Sequence, residues 1–233
     1  MKLWFPIALL GCLCLGGVWL FDAGVSEGCS LFAAVSFFCL SAACLFRLPG
    51  FWLKRPDGTL NPLSYGLFLP LHILNRLSFT LVTRISGERP ADCVAENVWL
   101  GRRITSQQAA MLFGGADVAT LDLTSEFQEC ARLRGPHYLC LPTMDHSAPT
   151  QARLRAGAAF IAANCGERIV FVHCALGHGR SSTVVAAWML QHDPKLSVAV
   201  AIKQLQASRP GVRLNSEQRE ALEVFAEDCR RVK

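Results

Sequence analysis

The chain has 233 residues, 52% of them hydrophobic and only 18% charged, with a formal net charge of +5. Water-soluble domains carry about a quarter charged residues, so part of this chain is built for an apolar surround. The same balance excludes a disordered chain, a small disulfide-stapled secreted domain and a nucleic-acid-binding arm. The imbalance is local: residues 1–83 hold five basic and three acidic side chains, whereas residues 84–233 hold 18 and 15, the content of one ordinary globular domain.

Two uncharged runs of 19 residues open the chain, 3–21 (LWFPIALLGCLCLGGVWLF) and 28–46 (GCSLFAAVSFFCLSAACLF). At about 1.5 Å per residue each nearly matches a hydrocarbon core of about 30 Å. The intervening DAGVSE is acidic and turn-like, so the pair predicts a transmembrane hairpin. A cleaved signal peptide is the competing reading, but the first run is long for that role and no A-x-A site follows it. Lys2 precedes the hairpin, Arg47, Lys54 and Arg55 follow it, and the connecting loop has no basic residue. Positive charge stays on the cytoplasmic side, so the expectation is a multi-pass integral membrane protein with its C-terminal domain in the cytoplasm. Residues 63–82 (LSYGLFLPLHILNRLSFTLV) are apolar enough for a third span. Arg76 inside it would cost about 2.5–3.5 kcal/mol, His72 and Asn75 add to that, and Pro70 interrupts it. The segment is therefore expected as a helix in the interface or beside the hairpin. The membrane region then covers 1–83 and the globular domain 84–233.

Beyond Arg84, short apolar runs alternate with helical periodicity. NVWLG (97–101), DVATLDL (117–123), HYLCLP (137–142) and RIVFVHC (168–174) read as strands, the last buried on both faces. SQQAAMLF (106–113), PTQARLRAGAAFIAAN (149–164), SSTVVAAWMLQH (181–192), KLSVAVAIKQLQAS (195–208) and NSEQREALEVFAEDCRR (215–231) read as helices. The alternation predicts an α/β fold, a sheet covered by helices on both sides. The eleven cysteines include no C-x2-C pair in the globular part, so neither a zinc site nor a disulfide framework has its spacing.

Chemistry concentrates where strand 168–173 runs into His173-Cys174-Ala175-Leu176-Gly177-His178-Gly179-Arg180-Ser181 and a helix starts at once. A short loop between a buried strand and a helix N-terminus turns backbone N–H groups inward, forming with the helix dipole a cradle for a tetrahedral dianion. Gly177 and Gly179 permit the backbone angles and clear space. Arg180, six positions after Cys174, can return its guanidinium over the same cavity and hold two phosphate oxygens. The field that binds phosphate also favours a Cys174 thiolate, a nucleophile aimed at phosphorus.

This stretch resembles the His-Cys-x5-Arg-Ser/Thr signature of the cysteine-dependent protein tyrosine phosphatase superfamily. Asp145 in LPTMDHSAP, 29 residues before Cys174, and the R-P-x4-N-x2-Q pattern of Arg209, Pro210, Asn215 and Gln218 resemble its dual-specificity branch. The resemblance covers about residues 90–230 and implies a central mixed sheet flanked by helices, behind an all-α transmembrane region. It implies that Cys174 forms a phosphocysteine while Arg180 and the amides of Ala175, Leu176, Gly177, His178 and Gly179 bind phosphate. Asp145 serves as acid and then base, and Ser181 bonds the departing thiolate. His173, Asn215 and Gln218 support the site, and neither metal nor cofactor is needed. Asp122 and Glu126 compete with Asp145 for the acid role. His178 contacts substrate or faces solvent, and Arg102 and Arg103 form a solvated face. The implied partners are a phosphorylated lipid or phosphoprotein and the bilayer, with no nucleic acid. The readings from other classes are a membrane-tethered phosphate-binding module with little catalysis and a sulfur transferase.

Overall fold

The computed structural model describes residues 4–20 and 24–231. Three helices open it: α1 (Trp4–Leu20), α2 (Gly24–Leu45) and α3 (Pro62–Ser86). Helix α2 already includes Gly24 to Glu27, so the turn expected over DAGVSE is not found at those four positions; Asp22 and Ala23, like Lys2, lie outside the described residues. By length and composition, Glu27–Leu45 and Pro62–Ser86 are long and apolar enough to cross a membrane. The third segment is longer than expected because its signals are strong. The Asn61 side chain accepts from the Leu63 N–H, Pro62 occupies the first turn, and Gly87 in the left-handed region stops the helix. Pro70 cannot donate to the carbonyl four residues back, and the backbone leaves helical geometry at Phe68 (φ −124°, ψ 27°).

A five-stranded sheet follows, ordered β1-β2-β5-β3-β4. Strand β1 (Ala91–Ala95), an edge strand that periodicity does not reveal, pairs antiparallel with β2 (Val98–Arg102). Strands β2, β5 (Ile169–Cys174), β3 (Val118–Thr124) and β4 (Tyr138–Thr143) run parallel, so the sheet is mixed. Helices α5 (Gln151–Asn164), α6 (Arg180–His192), α7 (Val198–Ser208) and α8 (Ser216–Arg231) pack with one face, enclosing Leu100, Leu121, Val172, Leu154 and Val184. Helix α4 (Ser106–Phe113), started by a Thr105–Gln108 capping box, covers the other through Phe113 and Phe171. Burying each such side chain stabilises the fold by about 1.5–3 kcal/mol.

Central β5 ends at Cys174, and its register with β3 sets Asp122 beside His173. The parallel strands thus deliver their carboxyl ends, and the loops that follow, to one rim of the sheet. A third apolar cluster joins the N-terminal region to this rim: Phe37 of α2, Trp52 and Leu60 of the linker, Leu71 of α3 and Met144, the neighbour of Asp145.

Candidate active site

Residues 174–180 close a bowl because every carbonyl along it is engaged from outside. Ala175 O accepts from the Arg103 N–H at 3.0 Å and His178 O from the Arg213 N–H at 3.0 Å. Leu176 O accepts from Arg209 Nη2 at 2.9 Å, and Gly177 O from Arg209 Nε at 3.2 Å and from the Ser182 hydroxyl. With the carbonyls held outward, the amides face the concavity. Gly177 has φ +76°, and a Cβ there would lie 2.4 Å from the Gly101 backbone, so only glycine closes the turn.

Cys174 Sγ lies at the base, 3.3 Å from both the Gly177 N and the Ser181 hydroxyl. Burial opposes ionisation of the thiol, yet the Arg180 guanidinium and these donors outweigh it, and its pKa falls below the ordinary value. Arg180 is itself buried. Glu126 takes it bidentately at 2.9 and 2.7 Å, Thr143 O accepts at 2.9 Å, and Asp145 Oδ1 lies 3.0 Å from Nη2. Glu126 therefore orients the arginine and is in no position to compete as an acid. Asp145, with its side chain 55% exposed, stands at the mouth. Partial burial raises its carboxyl pKa, but Arg180 first and His146 second outweigh that, so the group is depressed in the free protein.

Asp122, the other competitor, is sealed off. Lys54 from the N-terminal linker reaches it at 2.6 Å, with both side chains fully buried. Lys54 also donates to Thr124 O and Oγ1, and the Tyr138 hydroxyl donates to Asp122. Burial pushes the Asp122 carboxyl up, but Lys54 and His173 hold it far below its usual range. His173 Nε2 lies 2.7 Å from Glu129 and 3.9 Å from Asp122. Burial would lower the imidazole pKa, and these two carboxylates raise it on balance. Its main partner is thus a carboxylate; the backbone contact is the long one, 3.4 Å from Nδ1 to Cys174 O. Asp122, Glu129 and His173 approach one another closely enough to hold a metal ion, but the Lys54 ammonium already occupies the cation's place against Asp122.

His178 pairs through Nε2 with Glu88 at 2.6 Å while its side chain stays 26% exposed. Two expectations are corrected. Arg102 and Arg103 are not a solvated face: both are half-buried, and Arg103 binds Gln128 O while lying over the Phe127 ring at 5.5 Å. Lys54, which reads as a flanking charge, is a core residue. At the start of α8, Asn215 and Gln218 exchange side-chain bonds with each other's backbone N–H, and both reach across to the loop that carries Asp145, to His146 O and Ser147 O. The sequence offers no local signal for Glu126 or Lys54 as builders of this site, and Arg209 is flagged only by the R-P-x4-N-x2-Q pattern. Each acts on a residue more than 30 positions away.

The family model for the dual specificity phosphatase catalytic domain matches residues 98–228. The phosphatidylglycerophosphate phosphatase PTPMT2 of Arabidopsis thaliana is 34% identical over 91 residues, 38% of this chain and 40% of that protein, so the match spans less than half of the relative. Among solved structures, PTPMT1 in complex with PI(5)P aligns with TM-score 0.55 at 22% identity, covering 62% of this chain and 99% of that one. Tk-PTP in its active form aligns with TM-score 0.54 at 26% identity, covering 59% and 97%. With the match extending over more than half of its length, the chain belongs to the dual specificity phosphatase catalytic-domain family.

Proposed function

We propose that this phosphatase hydrolyses a phospholipid phosphate monoester at a membrane surface through a phosphocysteine intermediate. The observation that carries the reading is the bowl at 174–180, with a Cys174 thiol of lowered pKa beneath inward amides and beside Arg180. Thiolate attacks phosphorus, and the loop amides and Arg180 hold the equatorial oxygens as charge redistributes. Both Nη2 hydrogens of Arg180 are engaged in the free protein, one by Glu126 and one by Asp145. An arriving phosphate takes the second from Asp145. Its negative charge then replaces that of the lost cation contact, raises the carboxyl pKa and lets Asp145 hold the proton that the leaving alkoxide needs. The same carboxylate next activates water against the phosphocysteine, while the Ser181 hydroxyl bonds the departing sulfur.

Three features favour a lipid over a phosphoprotein. Helices α1–α3 expose leucines and isoleucine along their outer faces, Leu13 at 65% and Ile85 at 76% among them, as a bilayer-embedded surface does. The mouth of the bowl opens into a cavity walled by those helices. The Arabidopsis relative is named for a lipid phosphate. The bilayer anchors the chain through the N-terminal helices, with residues 84–233 on the cytoplasmic side. Phosphate release by the detergent-solubilised full chain, from vesicle-borne phosphatidylglycerophosphate against a phosphotyrosine peptide, tests this. The expected result is preference for the lipid and a trapped phosphocysteine. Exclusive turnover of the peptide, or binding without turnover, removes it.

A further inference from the structure

The cavity beside the phosphate loop has walls from both parts of the molecule. Its volume is about 270 Å³. Ala175, Leu176 and Asp145 line it from the catalytic domain, and Leu10, Phe37, Leu74 and Phe79 line it from the N-terminal helices. None of these last four belongs to the segment 98–228 that matches the phosphatase family, so this wall is peculiar to the N-terminal helices.

Two polar residues of α3, Asn75 and Ser78, interrupt the apolar wall. Asn75 lines the cavity, and its Nδ2 is shielded from solvent with no hydrogen-bond partner among the described residues. The residue lies on the inner stripe of α3, four positions after buried Leu71 and four before Phe79, whose ring packs on Phe127 at 5.4 Å. Arg76, one position on, is exposed. The stripe is thus held against the catalytic domain, and in the free chain the amide nitrogen is covered by protein. A shielded N–H without an acceptor is costly, and an amide nitrogen can be satisfied only by an acceptor oxygen.

We propose that this cavity is the subsite for the glycerol and first acyl carbons of a phospholipid monoester, with the Asn75 amide turning on binding to donate to an ester or hydroxyl oxygen while the phosphate sits on loop 174–180. The proposal rests on the phosphatase reading above and adds which residues read the lipid body. The volume lies near the lower end of ligand pockets, about 300–1,000 Å³, so it holds the part of the lipid next to the phosphate. The remaining chain leaves past Leu10 and Leu74, which line the cavity and are also 40% and 41% exposed on the outer apolar surface. Substrate therefore enters sideways, from among the helices.

The test measures kcat/KM of the full chain in mixed micelles on dioleoyl-phosphatidylglycerophosphate and on p-nitrophenyl phosphate, which has no acyl chain. Loss of one neutral hydrogen bond corresponds to about 2- to 10-fold, so Asn75→Leu is expected to lower the lipid-to-aryl ratio by that factor. Its Tm should hold or rise, since an unpartnered donor is removed. Ser78→Trp, at an exposed position on the cavity wall, should lower the ratio further by filling the passage. Leu77→Ala, on the outer face at 63% exposure, should leave the ratio unchanged. A wild-type ratio in both Asn75→Leu and Ser78→Trp overturns the subsite. Aryl turnover with no lipid turnover by the unaltered chain overturns it as well, while a chain that cleaves neither substrate brings down the phosphatase reading instead.

Discussion

The two parts of the chain solve opposite problems. In the α/β domain Leu100, Leu121, Phe171 and Val172 are fully buried, and the sheet is closed on both faces by helices. In helices α1–α3 most large apolar side chains face outward, and the few that are buried pack against the linker and Met144 rather than form a core of their own. The first part derives its stability from excluding water, the second from leaning on the first. Beside the apolar cluster at Met144, two ion pairs join them: Lys54 runs into the domain at Asp122, and Arg47 meets Glu217 at 3.0 Å. Composition draws the boundary near residue 83, whereas packing puts residue 54 inside the domain.

The sharpest way to separate the two parts is to disable one without touching the other. Cys174→Ser leaves every contact of α1–α3 in place and should lower turnover of any phosphate ester by at least about 10³-fold, with Tm and micelle association unchanged. Residual turnover close to wild type, measured on aryl phosphate, would remove the covalent mechanism.

Asp145→Asn should cost about 10²- to 10⁴-fold on alkyl phosphates and less on aryl phosphates, whose leaving groups need less help. The pH profile carries the sign. In the free protein the Cys174 pKa is lowered, so thiolate persists to lower pH than at an ordinary cysteine, while the Asp145 carboxyl is also depressed and loses its proton as pH rises. The reactive form needs thiolate and carboxylic acid together, so kcat/KM should peak on the acid side of neutrality and fall above it. The alkaline limb should vanish in Asp145→Asn. Persistence of that limb would assign the acid elsewhere.

These two residues were open to sequence reading because their signals are local: nine contiguous positions for the bowl, and a carboxylate on the loop that follows a legible strand. The periodic strands and helices beyond residue 96 were readable for the same reason. Edge strand β1 was not, since ADCVA carries neither an apolar run nor a regular alternation. Lys54 looked like a flanking charge and Glu126 like a rival acid because a lone charged residue is defined by its partner. Those partners, Asp122 and Arg180, stand 68 and 54 positions away. Asn75 counted as a cost of insertion until packing turned it toward the site.

Lys54→Met tests whether the linker belongs to the domain. Removing one partner of a buried pair costs about 3–5 kcal/mol, here near the lower end because Thr124 and Tyr138 still donate to Asp122. The Asp122 carboxyl is depressed in the fold, so its contribution is complete above its unfolded value of about 3.9 and is lost as pH falls through the folded one. His173 is raised, so its contribution is complete below about 6.5 and is lost as pH rises through its folded value. The Lys54→Met deficit in denaturant melts should therefore be greatest near neutrality and narrow in acid. A deficit below about 1 kcal/mol at pH 7 would return the linker to the membrane part, that being the range of a surface pair.

Arg47→Ala probes the outer joint and should do little. The Arg47 side chain is 66% exposed and that of Glu217 35%, and pairs of that kind contribute about 0–1 kcal/mol, less as salt is added. Glu217 Oε1 also accepts from the Ala148 N–H at 3.2 Å, so the loop that carries Asp145 keeps its tether to α8 when the arginine is gone. The expected outcome is a Tm within a degree or two of the wild type, with unchanged kcat on aryl phosphate. A loss of kcat with Tm preserved would mean that the end of α2 positions Asp145 through Glu217. The two parts would then be coupled in catalysis as well as in stability, through a contact whose strength should decline with ionic strength.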